Sequence, residues 1–239
     1  MSESVLPAPR AVIFDWDNTL VNTWPVIHEA LQRTFEELGK ETWPIEVTMQ
    51  KVRKSMRDSF PEIFGANWEE AGKRYQSHYR ARNLAQLEAL PKAKELLEEL
   101  QALGVPVLVV SNKKGVNLRQ EVAHLGWQKH FAGVIGADDA ARDKPHADPV
   151  LLALSALEME AGPDIWFVGD SDIDLACAAA CGCTPVLYGP HAASHAEYTP
   201  SHYQGFPYAV HVHTHDELTN RLRRVVPRSK PGDKLSSGN

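Results

Sequence analysis

The chain has 239 residues, a formal net charge of −6 and 43% hydrophobic residues, which suits one large soluble globular domain or two smaller ones with ample material for a core. The acidic balance, with no long Lys/Arg run against it, argues against a nucleic-acid partner, and no apolar run nears the roughly 20 residues needed to cross a bilayer. The opening residues, MSESVLPAPR, lack the charged start and apolar stretch of a signal peptide, so a cytoplasmic location is expected.

In chain order, Ala11–Phe14 reads as a short buried strand that ends on Asp15, with Asp17 two residues later. Side chains of extended chain repeat their direction every two residues, so both carboxylates point the same way. Such crowding of like charge is costly unless something cationic sits between them. From Asn22 to Leu90 the pattern is helical. WPVIHEALQRTFEELG opens with Pro25 and closes at Gly39; NWEEAGKRYQSHYRARN opens on Asn67, with Glu70 three residues on as in a capping box. No strand signal interrupts this stretch, which reads as an all-helical insert with Trp43, Met49, Met56, Phe60 and Trp68 as core positions.

Strands and helices then alternate. Val105–Val110, Gly133–Gly136, Ile165–Val168 and Pro185–Leu187 are near-continuous apolar runs, as in parallel strands covered on both faces. Between them, Leu96, Leu97, Leu100 and Leu103 stripe one helix that Gly104 can end, and Leu118, Val122 and Leu125 stripe a second before Gly126. ADPVLLALSALEM makes a third, with Asp148 as its N-cap and Pro149 first in the helix. The fold class is therefore α/β, a Rossmann-like open parallel sheet with an all-α cap inserted after the first strand. The expected division is 1–21 and 91–226 for the core, 22–90 for the cap, and 227–239 for a disordered Pro/Gly/Ser/Lys-rich tail. Cys177, Cys181 and Cys183 read as small side chains on an Ala-rich helix, since an odd cluster without a second ligand pair suits neither a disulfide nor a zinc framework. His211, His213 and His215 alternate as on one face of an edge strand, which a zinc site would also use. The segment 191–208 has no assignment.

Ligands of open α/β sheets bind beyond the carboxyl ends of the strands. Asp15, Asp17 and Thr19 follow the first strand, Ser111, Asn112 and Lys113 the second; Lys144 lies beyond the third, and Asp170, Ser171, Asp172 and Asp174 follow the fourth. Several carboxylates together call for a hard cation, and all-oxygen ligation suits Mg²⁺. An ammonium and a Ser-Asn turn exceed what the metal needs but fit a phosphoryl group beside it.

These residues carry a resemblance. DWDNT, VVSNK, DKPHADP and GDSDID follow one another as the four motifs of the haloacid dehalogenase superfamily do, and the chain resembles its phosphoglycolate-phosphatase-like branch with a helical cap, over roughly Arg10 to Val226. Asn18 stands where Gly is frequent and Asn22 where Asp is frequent. The resemblance implies Asp15 as nucleophile, Asp17 as general acid and then base, and Lys144 with Thr19, Ser111 and Asn112 as phosphate-binding groups. It implies a Mg²⁺ held by Asp15, the Asp17 carbonyl and Asp170, with Asp174 acting through water or as an orienting group; Asp172 reads as a first-turn helix acid. The function implied is a phosphatase of a small phosphorylated metabolite, as a monomer or homodimer, with no nucleic-acid or membrane partner. A β-phosphoglucomutase-like isomerase shares every motif, and a non-enzymatic phospho-acceptor shares the acidic pair, hydroxyl and lysine. In the cap, the basic stretch QKVRKSMRDSF points to Arg57, ahead of Asp58 as a helix cap, as the group that would meet an anionic leaving group, with Asn22 as a further substrate contact.

Overall fold

The computed structural model describes residues 6–189, 199 and 201–227. The expected tail from residue 228 on, and residues 191–198 and 200 of the unassigned 191–208 segment, lie outside the described residues.

The chain begins with strand β1 (Ala11–Phe14) and a two-residue strand β2 (Val21–Asn22), followed by helices α1 (Trp24–Glu37), α2 (Ile45–Lys51), α3 (Met56–Phe64) and α4 (Trp68–Gln86). A second two-residue strand, β3 (Glu88–Ala89), pairs antiparallel with β2. Alternation follows: α5 (Ala93–Ala102), β4 (Val107–Lys114), α6 (Gly115–His124), β5 (Gly133–Ala137), α7 (Asp148–Ser155), β6 (Ile165–Gly169), α8 (Asp172–Cys181) and β7 (Thr184–Tyr188). Short strands β8 (His202–Tyr203) and β9 (Phe206–Pro207) form a hairpin before β10 (Val210–Val212) and α9 (His215–Val225).

Six strands make one parallel sheet in the order β10-β7-β6-β1-β4-β5. β1, the first strand made, lies inside it, with Val12 opposite Val107 on one side and Ala11 opposite Ile165 on the other. Its period-two alternation buries both faces: Val12 and Phe14 join Leu96, Leu100, Leu118 and Leu222, whereas Ala11 and Ile13 join Val150, Leu154 and Cys177. The insert has its own core, where Phe35 lies 4.7 Å from Trp43 and 5.4 Å from Phe64, ring to ring, with Phe60, Met56 and Trp68 packed alongside. Gly104 and Gly126 take left-handed φ values of 70° and 68° just past α5 and α6, a conformation that costs other residues dearly. Among the described residues no helix is long and apolar enough to cross a membrane.

Local details depart from the sequence reading. Asn67 ends a 3₁₀ turn with φ −92° and ψ 12°, so its side chain caps nothing, and Glu70 bonds Arg74 one turn on instead of closing a capping box. Asp148 is the first helical residue of α7, not its cap, and pairs with Arg142 at 2.8 Å. At α3 the cap position belongs to Ser55, whose Oγ donates to Asp58, which puts Arg57 on the helix rather than at a loop tip. β10 is an edge strand, but it stops at Val212; His213 lies beyond it and His215 starts α9, so the three histidines do not share a strand.

Candidate active site

The carboxyl ends of β1, β4 and β6 converge, and the loop after β5 adds one lysine. The Asp15 amide continues the ladder by donating to the Val168 carbonyl at 2.9 Å, which fixes where its side chain leaves the sheet. Lys144, 3% exposed, donates from Nζ to Asp15 Oδ1 and to Asp174 Oδ1, each at 2.7 Å. Asp174 Oδ2 accepts from the Ser171 amide at 3.1 Å and its hydroxyl at 2.6 Å, so this carboxylate caps α8 while it orients the lysine. Gly169 makes room for it, since a Cβ there would run into the Asp174 carboxyl.

Carboxylate oxygens of Asp15, Asp170 and Asp174 lie within 4.8 Å of one another. With all three carboxyls ionised, one ammonium would leave two negative charges uncompensated. Burial pushes Asp15 up to about 7 against the opposing pull of Lys144, with Asp174 and Asp17 adding to the rise. Burial, then Asp174 and Asp15, raises Asp170 well above the usual carboxylate range. Lys144 loses charge stability to burial but regains more from Asp15 and Asp174, so its ammonium is held firmly. An all-oxygen, over-acidic cluster of this kind fits a divalent cation.

Asp17 belongs to a second network. Its Oδ1 accepts from Thr23 Oγ1 and from Lys113 Nζ, each at 2.6 Å. Lys113 also donates to Glu121 Oε2 at 2.6 Å. Glu121, fully buried on α6, further accepts from Trp16 Nε1 at 2.8 Å, Tyr79 Oη at 2.7 Å and Asn83 Nδ2 at 3.0 Å. Burial would raise the Glu121 carboxyl, but Lys113 and the neutral donors outweigh it and hold the group below its ordinary value. Trp16 stands between Asp15 and Asp17, and Tyr79 and Asn83 belong to α4, so one carboxylate ties the first motif to the insert. In the sequence Lys113 stands next to Ser111 and Asn112 with no role of its own, and nothing local marks Glu121.

Asn112 Nδ2 donates to the Lys144 carbonyl at 3.1 Å, while its Oδ1 and the buried Thr19 hydroxyl have no hydrogen-bond partner. A cavity of about 730 Å³ opens over these groups, lined by Asp15, Asp17, Ser111, Asn112, Lys144 and Asp170, and also by Asn22. Thr19 is fully buried below it. Arg57 is not on this wall: its Nε donates to Asp143 at 2.6 Å and Nη1 lies 3.8 Å from Asp138. Arg53 faces the cavity instead, its Nη1 donating to Asp172 at 2.9 Å. Asp172, read as a plain helix acid, is thus the insert's anchor on α8. His215, at the start of α9, lies 2.8 Å from the Pro91 carbonyl through Nδ1 and 2.8 Å from the Thr19 carbonyl through Nε2.

Known proteins match at sequence and fold. Residues 12–187 match the family described as haloacid dehalogenase-like hydrolase. A phosphoglycolate phosphatase of Pectobacterium atrosepticum is 31% identical over 189 residues, covering 76% of this chain and 80% of the relative. One of Cereibacter sphaeroides is 29% identical over 223 residues, covering 90% and 98%. A haloacid dehalogenase-like family hydrolase of Streptococcus pneumoniae superposes with a TM-score of 0.73 at 23% identity, covering 90% of this chain and 99% of its own.

Proposed function

The chain belongs to the haloacid dehalogenase-like hydrolase family and is a phosphatase of small phosphate esters, and from that premise we propose that it is a Mg²⁺-dependent phosphomonoesterase working through an aspartyl-phosphate on Asp15. The observation that carries this reading is the buried cluster of Asp15, Asp170 and Asp174 bridged by Lys144. Asp15, Asp170 and the Asp17 carbonyl would hold the cation, with Asp174 orienting the lysine. When bound, the cation neutralises phosphoryl charge and holds a phosphoryl oxygen for in-line displacement.

The chain's own groups carry the rest. The Asp15 carboxylate attacks phosphorus, the ester P–O bond breaks, and Asp17 protonates the departing alkoxide. Asp17 then takes a proton from the water that attacks the aspartyl-phosphate, releasing inorganic phosphate and free Asp15. Lys144, the Ser111 hydroxyl and Asn112, at the end of β4, bind phosphoryl oxygens; the partnerless Thr19 hydroxyl, a further phosphate-binding candidate, is buried below them and would need the site to open to reach the phosphoryl group. Thr23 and Lys113 both occupy Oδ1 of Asp17, which leaves Oδ2 as the atom that moves the proton. Lys113 and Glu121 are positioning residues for it.

The division into a core of 1–21 and 91–226 and a cap of 22–90 is part of the proposal, supported by the β2–β3 ribbon through which the chain leaves and returns. A cytoplasmic setting is proposed too, in keeping with three cysteines that form no disulfide. The test is phosphate release from p-nitrophenyl phosphate with Mg²⁺ and in chelator. Release that persists in chelator, or in Asp15→Asn, rejects the proposal.

A further inference from the structure

The relatives named for phosphoglycolate suggest a small anionic leaving group, and the cavity of this chain is built for something else. Resting on the phosphatase reading, we propose that its substrate is a phosphate ester of an uncharged alcohol that carries a ring or an apolar body.

Charge is the first ground. A carboxylate on the leaving group needs a cation at the insert side of the cavity. Arg53 faces that space but is committed to Asp172 at 2.9 Å, both side chains being largely buried. Lys54 pairs with Glu62 at 3.0 Å, Arg57 with Asp143 at 2.6 Å, and Lys51 lies over the Trp43 ring at 4.8 Å. Lys113 is shared between Asp17 and Glu121, and Lys114 lies 3.5 Å from Asp138. Glu46 lines the same cavity and adds a negative charge. An anionic leaving group drawn to Arg53 would have to break that pair and leave Asp172 alone and largely buried, whereas the partners of Lys54 and Lys114 are exposed.

Shape is the second ground. The wall facing the carboxylates is formed by Trp24 and Ile27 of α1, Met56 and Phe60 of α3, and Tyr75 of α4. A volume of about 730 Å³ is within the range of roughly 300–1,000 Å³ that encloses drug-sized ligands. A two-carbon acid would leave that apolar wall facing water, whereas a ring laid against it removes the wall from water along with itself.

The experiment compares kcat/KM of the purified full chain with Mg²⁺ on 2-phosphoglycolate, glycerol 3-phosphate and three esters of ring-bearing uncharged alcohols: a nucleoside 5′-monophosphate, pyridoxine 5′-phosphate and benzyl phosphate. At least one ring-bearing ester is expected to exceed 2-phosphoglycolate by about tenfold or more. Trp24→Ala should cost that ester about tenfold and glycerol 3-phosphate little. Asp172→Asn, which releases Arg53, should raise the 2-phosphoglycolate to glycerol 3-phosphate ratio severalfold. Preference for 2-phosphoglycolate, or an equal loss on both esters in Trp24→Ala together with an unmoved ratio in Asp172→Asn, overturns the inference while hydrolysis of p-nitrophenyl phosphate leaves the phosphatase reading standing. No phosphate release from p-nitrophenyl phosphate overturns both.

Discussion

Lys113→Met separates the placement of Asp17 from the chemistry of Asp15. The substitution keeps most of the side-chain volume and removes one ammonium that contacts Asp17 and Glu121, each at 2.6 Å. Taking one partner from a buried ion pair costs about 3–5 kcal/mol. Glu121 keeps its Trp16, Tyr79 and Asn83 donors and Asp17 keeps Thr23, so the loss should fall near the lower end, about 3 kcal/mol. For a chain of this size that is a drop in Tm of about 6–12 °C. The kinetic signature differs by leaving group. Positioned acid–base groups contribute about 10²–10⁴-fold, so kcat/KM on an alkyl phosphate, whose alkoxide needs the Asp17 proton, should fall at least about tenfold. The kcat/KM of p-nitrophenyl phosphate, which reports only the phosphorylation of Asp15 and whose leaving phenolate needs no proton, should change less than about threefold. Adding Glu121→Gln removes the stranded charge and should recover most of the lost Tm without recovering the alkyl phosphate rate. Equal losses on both substrates, or a rate that returns with stability, would refute the argument and reduce Lys113 to a folding role.

Asp15→Asn should lower turnover more than about a hundredfold while the Tm stays near wild type, measured by phosphate release and a thermal melt, since the lost Lys144 contact is offset by relief of a buried like-charge cluster. Mg²⁺ binding should depend on pH. The Asp15 carboxyl is raised to about 7, so below that pH a proton must leave before the cation binds, and affinity rises with pH and then flattens above it. Calorimetric titration between about pH 6 and about pH 8 tests this, and a flat profile contradicts it. EDTA should abolish activity and Mg²⁺ restore it, with Ca²⁺ supporting little because its looser coordination misplaces the attacking oxygen. Gly169→Ala should displace Asp174 and with it Lys144, lowering both Tm and kcat.

What was legible in the sequence was whatever depends on neighbours along the chain. The strand Ala11–Phe14 and the Asp15/Asp17 pair repeat every two residues, and Leu96, Leu97 and Leu100 mark a helix face within one turn. The motif residues follow strand ends, so a sheet that aligns those ends also gathers the residues; Lys144 meets Asp15 across 129 positions for that reason. Pairings made by tertiary packing left no local trace. Glu121 has four donors drawn from the residues just past β1, the end of β4 and two turns of α4, and its surroundings in the sequence are ordinary for a helix. Arg53 and Arg57 differ by one helical turn across a loop, so which one faces the cavity depends on where α3 starts, and Ser55 rather than Asp58 decides that. The β2–β3 ribbon is two residues per strand, too short for any periodic signal.

The position of β1 within the sheet bears on how the chain comes to fold. Its partners β4 and β6 begin at Val107 and Ile165, so the strand made first waits for chain made far later. At about 5–20 residues per second, the interval between synthesis of Ala11 and its partner Ile165 is about 8–30 s. Helices α1 to α4 emerge during that time, and their contacts are mostly local, so they can pack around Phe35, Phe60 and Phe64 while the sheet has no second strand. The interrupting segment thus matures before the domain it interrupts, and the apolar strand Ala11–Phe14 is the part of the nascent chain that most needs shielding until β4 and β6 arrive.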